Sequence, residues 1–302
     1  MKLIDFMGQR RIAYAVSILL TVFAVGSLAI KHLNLGLDFT GGTQIEVRYQ
    51  QPPNLDNVRE SLANAGYHAP SVQSFGATTD VLIRLQAEYN RNIGRDIVNT
   101  LSQNGTQHVE LARADYVGAQ VGNQLRDQGG LGMLLALGGI MIYLALRFQW
   151  KFALGAVLAL AHDVLIVVGI FSFFQLEFDL TVMAGVLAVL GYSLNDTIVV
   201  YDRVRENIRT SRSHNIIQIC NDAINQTLAR TVATSGSTLL ALCALYTMGG
   251  DMLHNFSLAL IFGVVLGTFS SIYVAAALLV LFNLKRDDLI QVRKGGAEDE
   301  LP

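Results

Sequence analysis

Several signatures of soluble enzymes are missing from this 302-residue sequence. It has no GxxxxGK[ST] phosphate loop, no HExxH motif and no GxSxG motif, so ATP-driven or hydrolytic chemistry within the chain is not expected. Its two cysteines, Cys220 and Cys243, follow the main polar segment, which must therefore be stable without disulfides. Charged residues make up only 15%, and the net charge of −2 is uninformative about nucleic acid. No nucleic-acid partner is implied, because the basic residues lie beside apolar runs and are not gathered on one soluble face.

Long apolar runs take the place of these features, and 52% of the residues are hydrophobic. A helix needs about 20 apolar residues to cross a hydrocarbon core of about 30 Å. Six runs approach or reach this length, at residues 12–30, 129–146, 152–174, 178–200, 232–248 and 256–282. The sequence therefore predicts a polytopic α-helical membrane protein with six transmembrane helices.

Basic residues flank only alternate connections between these runs. They are Lys2, Arg10, Arg11, Arg147, Lys151, Arg203, Arg205, Arg209, Arg212, Arg230, Lys285, Arg286, Arg293 and Lys294. The short connections at residues 175–177 and 249–255 have none. By the positive-inside rule, both termini are cytoplasmic and residues 31–128 lie outside. A cleavable signal peptide is the alternative for the N-terminus, but the first run is longer than most such segments, so we predict an uncleaved signal anchor.

The outer segment has the periodicity of a folded domain. Strands are predicted at residues 43–49, 72–75, 81–85 and 109–116, the middle two as a hairpin, and helices at 55–65 and 92–103. Gly66 follows the first helix, at a position where a left-handed C-cap suits glycine. The order βαββαβ predicts a small α+β ferredoxin-like domain. A different arrangement of the same elements is the alternative.

One acidic residue, Asp196, lies within the fourth apolar run. A charged group there costs at least about 2.5–3.5 kcal/mol, and burial favours the protonated form, so the residue suits a proton carrier. Asn195 beside it can hydrogen-bond to a neighbouring helix. Arg230, which opens the fifth run, and Arg203, seven residues along the same face, are alternative counter-ions. A purely structural hydrogen bond or ion pair is the competing interpretation of Asp196.

His162 and Asp163 are adjacent in the third run. Neighbours on a helix point about 100° apart, so we expect them to face different helices instead of forming one compact site. One can serve a proton route while the other packs. As a metal site the pair is weak, because no spaced set of ligands accompanies it.

Small and hydroxylated residues repeat on the last two runs. Gly263, Gly267 and Ser271 recur every four residues, which predicts a smooth ridge for close helix contact. Four threonines line one face of the fifth run, at positions 227, 231, 234 and 238. Hydroxyls can relay protons, but bonding to helix carbonyls explains them more simply.

Five motifs, in this order, resemble the SecF family of protein-export membrane proteins. GLDFTGG at residues 36–42 follows the first run, and AHD at 161–163 lies in the third. GYSLNDTIVV at 191–200, DRVRENIR at 202–209 and RTVATSGSTL from Arg230 follow. The resemblance extends from the first run to the end of the sixth, whereas the tail after Lys285 carries no motif.

The resemblance implies half of an RND-type transporter in the bacterial inner membrane. The expected division is a cytoplasmic N-terminus and first helix (1–30), a periplasmic domain (31–128), five more helices (129–284) and a cytoplasmic tail (285–302). It implies that SecD is a separate partner, that the SecYEG translocon is assisted, and that YajC and YidC can be further partners. The lipid bilayer and an unfolded translocating polypeptide complete the set of partners, with no nucleic acid.

The resemblance also implies roles for single residues. It places Asp196 and Arg230 in a proton route at the subunit interface, with no cofactor besides the coupling protons. Asp38, Gly41 and Gly42 belong to a motif that we expect to couple the first helix to the outer domain, and Gly191 to the motif around Asp196. The implied function is proton-driven promotion of late, ATP-independent steps of protein export, and no enzyme activity. The alternatives are an RND exporter of small molecules or lipids and a non-translocating assembly subunit that holds SecD.

Overall fold

The computed structural model describes residues 4–68, 70–75, 77–86, 90–102, 108–210 and 215–284. The predicted cytoplasmic tail at 285–302, together with Lys2, Gly76 and Arg212, lies outside the described residues. In chain order the helices are α1 (Arg10–Lys31), α2 (Leu37–Thr40), α3 (Leu55–Asn64), α4 (Ile93–Leu101), α5 (Ala119–Arg147), α6 (Trp150–Phe174), α7 (Leu180–Thr210), α8 (Ile216–Met248), α9 (Asp251–Phe269) and α10 (Ala276–Leu281). The strands are β1 (Asn34–Leu35), β2 (Gly42–Tyr49), β3 (Ser71–Phe75), β4 (Ala77–Leu85), β5 (Val109–Val117) and β6 (Glu177–Phe178).

Six helical segments are long and apolar enough to cross a membrane, which confirms the predicted number. They are Met7–Lys31, Gln120–Arg147, Trp150–Phe174, Leu180–Thr210, Ile216–Met248 and Leu253–Leu281. The last of them combines α9, a π-helical stretch at Ser270–Ala275 and α10. Helix α5 begins at Ala119, ten residues before the predicted apolar run, because polar residues continue the helix towards the domain.

The α+β domain has the predicted ferredoxin-like arrangement. Its four strands form an antiparallel sheet in the order β3-β4-β2-β5. Alternate residues of β2 and β4 point inward to a core that includes Ile45, Ile83 and Ile97, all fully buried. Gly66 has a φ of 94°, the left-handed conformation predicted for it. The hairpin turn is tighter than predicted, since Phe75 pairs with Ala77.

Small residues allow the membrane helices to approach closely. A Cβ at Gly263 would meet the side chain of Val189 on α7, and one at Gly267 would meet Ser193 on the same helix. These contacts confirm that the glycine ridge of the last span packs against a neighbouring helix. On the opposite side of the bundle, Gly169 of α6 packs against Ala24 of α1.

Two of the spans are covered little by the rest of the chain. Helix α5 exposes Leu134 and Leu135, at 68% and 66%, and α8 exposes Leu240 at 76%. Apolar side chains at this exposure require lipid or another protein around them. The open side of the bundle therefore lies at α5 and α8, with one face of α7 between them.

Candidate functional site

Asp196 lies midway along α7. Its side chain is buried, with an exposed fraction of only 2% for the residue. One hydrogen bond to the described residues supports it, donated over 3.4 Å by the Ser235 hydroxyl to Oδ2. A carboxylate normally accepts several hydrogen bonds when it is buried and charged. The single long bond leaves Asp196 far from satisfied as an anion.

Hydroxyl groups from three helices form a cluster that reaches this carboxyl group through Ser235. Ser235 on α8 also lies 2.7 Å from the Thr268 hydroxyl on α9, and it accepts a 3.3 Å hydrogen bond from the Tyr192 hydroxyl. Each hydroxyl can both donate and accept. The group can therefore reorganise around either protonation state of Asp196.

Arg230 lies on the exposed surface of α8, five residues before Ser235. No ion pair joins it to Asp196 in the part of the chain that the structure describes. Arg230 lines a cleft of about 500 Å³ between α5, α7 and α8, which also contains Arg147 and Val199. The cleft begins within one helical turn of Asp196 and opens at the end of the bundle that carries the basic residues. Arg230 is thus placed between the buried acid and this opening.

Arg203 is not the counter-ion of Asp196, which corrects the second candidate. Its guanidinium forms an ion pair with Glu206 at 2.6 Å. Seven residues separate it from Asp196, which is about 10.5 Å along the helix, so the side chain remains in the polar region.

Asn195 and Gly191 share the open face of α7. Both are exposed, and Asn195 forms no hydrogen bond with the described residues. A Cβ at Gly191 would lie in open space. The expectation that Asn195 bonds to a neighbouring helix is therefore not met among the described residues, and the side chain lies on the open face.

His162 and Asp163 form one compact group, contrary to expectation. Nδ1 of His162 lies 3.0 Å from Oδ1 of Asp163. Oδ2 of the fully buried Asp163 accepts hydrogen bonds from Ser193 at 2.7 Å and from Ser270 at 2.6 Å. The backbone directions differ as predicted, but the side chains are long enough to turn towards each other. Asp163 thereby joins α6, α7 and the π-helical stretch.

The family motif at residues 36–42 lies at the opposite end of α7. Oδ2 of Asp38 accepts a 3.1 Å hydrogen bond from the Leu180 backbone N–H, the first amide of α7. Gly41 and Gly42 have φ values of 71° and 136°, which favour glycine. A Cβ at Gly42 would also collide with the Leu85 carbonyl. Asp38 therefore contacts α7, in addition to lying next to the first span in sequence.

Comparison with known proteins decides the family. The model for "Protein export membrane protein SecD/SecF, C-terminal" matches residues 97–285, and the SecD/SecF GG motif matches residues 26–53. The protein translocase subunit SecF of Pseudomonas aeruginosa is 54% identical over 300 residues, covering 99% of this chain and 98% of that protein. The chain belongs to the SecF family.

Other SecF proteins and a solved SecDF structure agree with this. SecF of Escherichia coli O157:H7 is 41% identical, over 98% of this chain and 94% of that protein. The crystal structure of SecDF from Thermus thermophilus matches with a TM-score of 0.83 and 36% identity over 93% of this chain. The chain spans only 38% of that longer SecDF chain.

Sequence reasoning missed most partners of the two buried acids in this SecF-family chain. Ser235 contacts Asp196, whereas Thr227, Thr234 and Thr238 donate to carbonyls of their own helix. Every serine inside a span was visible as a polar residue. Which of them face an acid depends on helix rotation, which the motifs do not reveal. No cluster of three metal-ligating side chains occurs within the ranges that the structure describes.

Proposed function

We propose that this chain is the SecF subunit of a proton-driven accessory to the Sec translocon. It works with a SecD partner to promote late, ATP-independent steps of protein export across the inner membrane. The relatives are named protein translocase subunits, and the solved SecDF chain supports a SecD partner, because this chain matches little more than a third of it. SecYEG, YajC and YidC are the further partners, with an unfolded polypeptide as the cargo.

The observation that carries the proposal is the contrast between the two buried acids. Asp163 has three partners within 3.0 Å, which suits an anchor between helices. Asp196 has a single bond of 3.4 Å, from a serine that also contacts two other hydroxyls, and the cleft that Arg230 lines begins one helical turn away. A site that must gain and lose a proton needs both states to be accessible, and only Asp196 meets that condition. We therefore assign the proton to Asp196 and a holding role to Asp163 and His162.

Proton movement then has a defined direction. The α+β domain is extracytoplasmic and both termini are cytoplasmic, because Arg147, Lys151 and Arg203 cluster at the end of the bundle opposite the domain. Protons travel from outside through Asp196 to the cleft that Arg230 lines. Each charge that crosses 100 mV releases about 2.3 kcal/mol, enough to bias a two-state rearrangement. Protons are the coupling ion, and no other cofactor is needed.

Helix α7 connects this site to the outer domain. Leu180, which Asp38 caps, lies 16 residues before Asp196, about 24 Å along one continuous helix. A shift of α7 on protonation of Asp196 would therefore move Leu180 and its contact with Asp38 in the motif at residues 36–42.

The test is gradient-dependent export by Asp196→Asn. A secreted protein is exported in cells depleted of the native subunit, or into inverted vesicles, at matched levels of this chain and SecD. The amide keeps the volume of the carboxyl group but cannot release a proton, so the gradient-dependent part of export should disappear. Glu60→Gln changes an exposed acid on α3 of the outer domain in the same way; it is the control and should export normally. Unchanged export in Asp196→Asn would favour the assembly-subunit alternative, and gradient-driven efflux of a small molecule would favour the exporter.

A further inference from the structure

The α+β domain is joined to the bundle by two chain connections that lie side by side. Strand β2 starts at Gly42, directly after the motif that follows α1, and β5 ends at Val117, just before α5. Gly42 and Val117 are paired in the sheet. Neighbouring strands lie about 4.8 Å apart, so the two connections together form a narrow hinge. With only these two adjacent attachment points, the domain can rotate relative to the bundle unless a third contact prevents it.

A third contact exists on the far side of β2. Arg84, on β4 and opposite Gln44, forms an ion pair with Glu177 in the connection between α6 and α7. Both side chains are only 17% exposed. Arg84 also donates to Oε1 of Gln44 at 3.3 Å, which keeps the guanidinium in the plane of the sheet. The domain is thereby fastened to the membrane bundle away from its hinge.

Glu177 is fixed on the membrane side. Strand β6, which contains it, pairs in parallel with β1, and Asn255 at the start of the last span donates to the Glu177 carbonyl at 3.3 Å. Helix α7 begins two residues after β6. A force on Glu177 therefore acts on the same helix that carries Asp196.

The charges around this ion pair are unbalanced. A cavity of about 210 Å³ brings together Asp38, Glu177 and Asp179, with Arg84 as the only basic residue among the described residues that line it. Burial raises the pKa of Glu177, and so do the charges of Asp179 and Asp38, while Arg84 lowers it. Without Arg84, a charged Glu177 would face two carboxylates and no cation.

We propose that Arg84 and Glu177 form a latch that holds the α+β domain closed on the bundle, and that its opening lets the domain turn about the Gly42–Val117 hinge. The latch itself follows from the geometry. Its use in the export cycle rests on the proposed function.

Spin labels measure whether the latch holds the domain. Glu60→Cys on α3 and Phe174→Cys at the end of α6 are exposed positions on the two bodies. Cys243→Ser removes the exposed native thiol, and Cys220 is buried. The full chain, reconstituted with SecD, is compared with three variants: Arg84→Gln, Glu177→Gln and the double variant. Arg48→Gln is the matched control, because Arg48 forms its ion pair with Asp80, a residue of the same sheet.

Arg84→Gln should add a second distance population at mildly alkaline pH, with the open fraction raised on the order of tenfold. Glu177→Gln should stay closed, since the amide can still bond to Arg84 and no longer repels Asp38 and Asp179. The double variant should return to the closed distance. Lowering the pH should also return Arg84→Gln to the closed distance. The pKa of Glu177 is raised in the closed state, so protonation of Glu177 favours the closed state over the open one.

An Arg84→Gln distribution that matches wild type and Arg48→Gln would overturn the latch. So would an open population that persists in the double variant, because lost packing would then explain it. Gradient-dependent export separates this result from the proposed function. If Asp196→Asn exports normally, the proposed function is wrong, and the spin-label distances of Arg84→Gln still test the latch independently. If Asp196→Asn loses export while the Arg84→Gln distances stay unchanged, the latch alone is wrong.

Discussion

Removing the Asp163 side chain should destabilise the membrane bundle strongly. In Asp163→Ala, the Ser193 hydroxyl and Nδ1 of His162 both lose their hydrogen-bond partner. Ser270 keeps one, because it also contacts the Gly267 carbonyl at 3.2 Å. Nε2 of His162 is already buried without a partner among the described residues. The imidazole would then be left wholly unsatisfied inside the bundle.

The magnitude follows from the number of groups left without a partner. Each buried polar group that loses its partner costs about 1–3 kcal/mol, so two of them predict a loss of about 2–4 kcal/mol after partial relaxation. Asp163→Asn keeps an acceptor oxygen and the side-chain volume, and we expect it to lose about 1 kcal/mol. Asp202→Ala removes an exposed acid and should change the free energy of unfolding by less than about 0.5 kcal/mol.

Denaturant unfolding in mixed micelles measures this series. The sequence has one tryptophan, Trp150, at the start of α6, and its fluorescence reports on the helix that carries Asp163. The denaturant concentration at the midpoint of unfolding should be highest for wild type, lower for Asp163→Asn and lowest for Asp163→Ala. An Asp163→Ala midpoint equal to that of Asp202→Ala would refute the reasoning, since the three hydrogen bonds would then contribute no net stability.

Two further predictions concern the residues outside the bundle core. Asp38→Ala removes the acceptor of the Leu180 amide. The free energy of local opening should fall by about 1 kcal/mol, so hydrogen exchange at the start of α7 should accelerate roughly fivefold. Asp38→Asn keeps an acceptor oxygen and should exchange nearly as fast as wild type. Hydrogen bonding and charge from Arg48 lower the pKa of Asp80, so this pair stabilises the sheet above the ordinary carboxyl pKa and loses its effect as the pH falls through the lowered value. Exchange protection of β2 and β4 in the full chain should therefore differ between wild type and Arg48→Gln near neutral pH, and this difference should shrink in acid; a difference independent of pH would contradict the assignment.

The sequence was informative wherever one local rule dominates. The apolar runs predicted the six spans, and apolar alternation with turn residues predicted the order of strands and helices in the domain. The left-handed conformation of Gly66 was also predicted. The glycine ridge predicted a close contact in the last span. Each of these depends on residues that are near one another in the chain.

Contacts between helices were predicted less well. Arg203 shares a face with Asp196, yet it pairs with Glu206, because an arginine near the end of a span gains hydration there. His162 and Asp163 meet because a side chain can bend across the angle that separates their backbones. The π-helical stretch at Ser270–Ala275 shifts the rotation of the last span, which periodicity alone does not anticipate.

The latch residues show the same limit. Arg84 lies in a strand of the outer domain and Glu177 in a two-residue strand 93 positions later. Neither belongs to one of the five family motifs. Their proximity depends on how the domain sits on the bundle, which no local pattern encodes.

Proton release from proteoliposomes during export tests the central claim most directly. Vesicles that contain the translocon, SecD and this chain enclose a pH-sensitive dye, and an unfolded substrate is exported into the lumen while an imposed gradient keeps the lumen acidic. We predict that wild type and Glu60→Gln lose protons from the lumen while export proceeds, and that Asp196→Asn does so far more slowly although it assembles with SecD. Equal proton release in wild type and Asp196→Asn would contradict the account, because the proton would then cross the membrane without the buried carboxyl group.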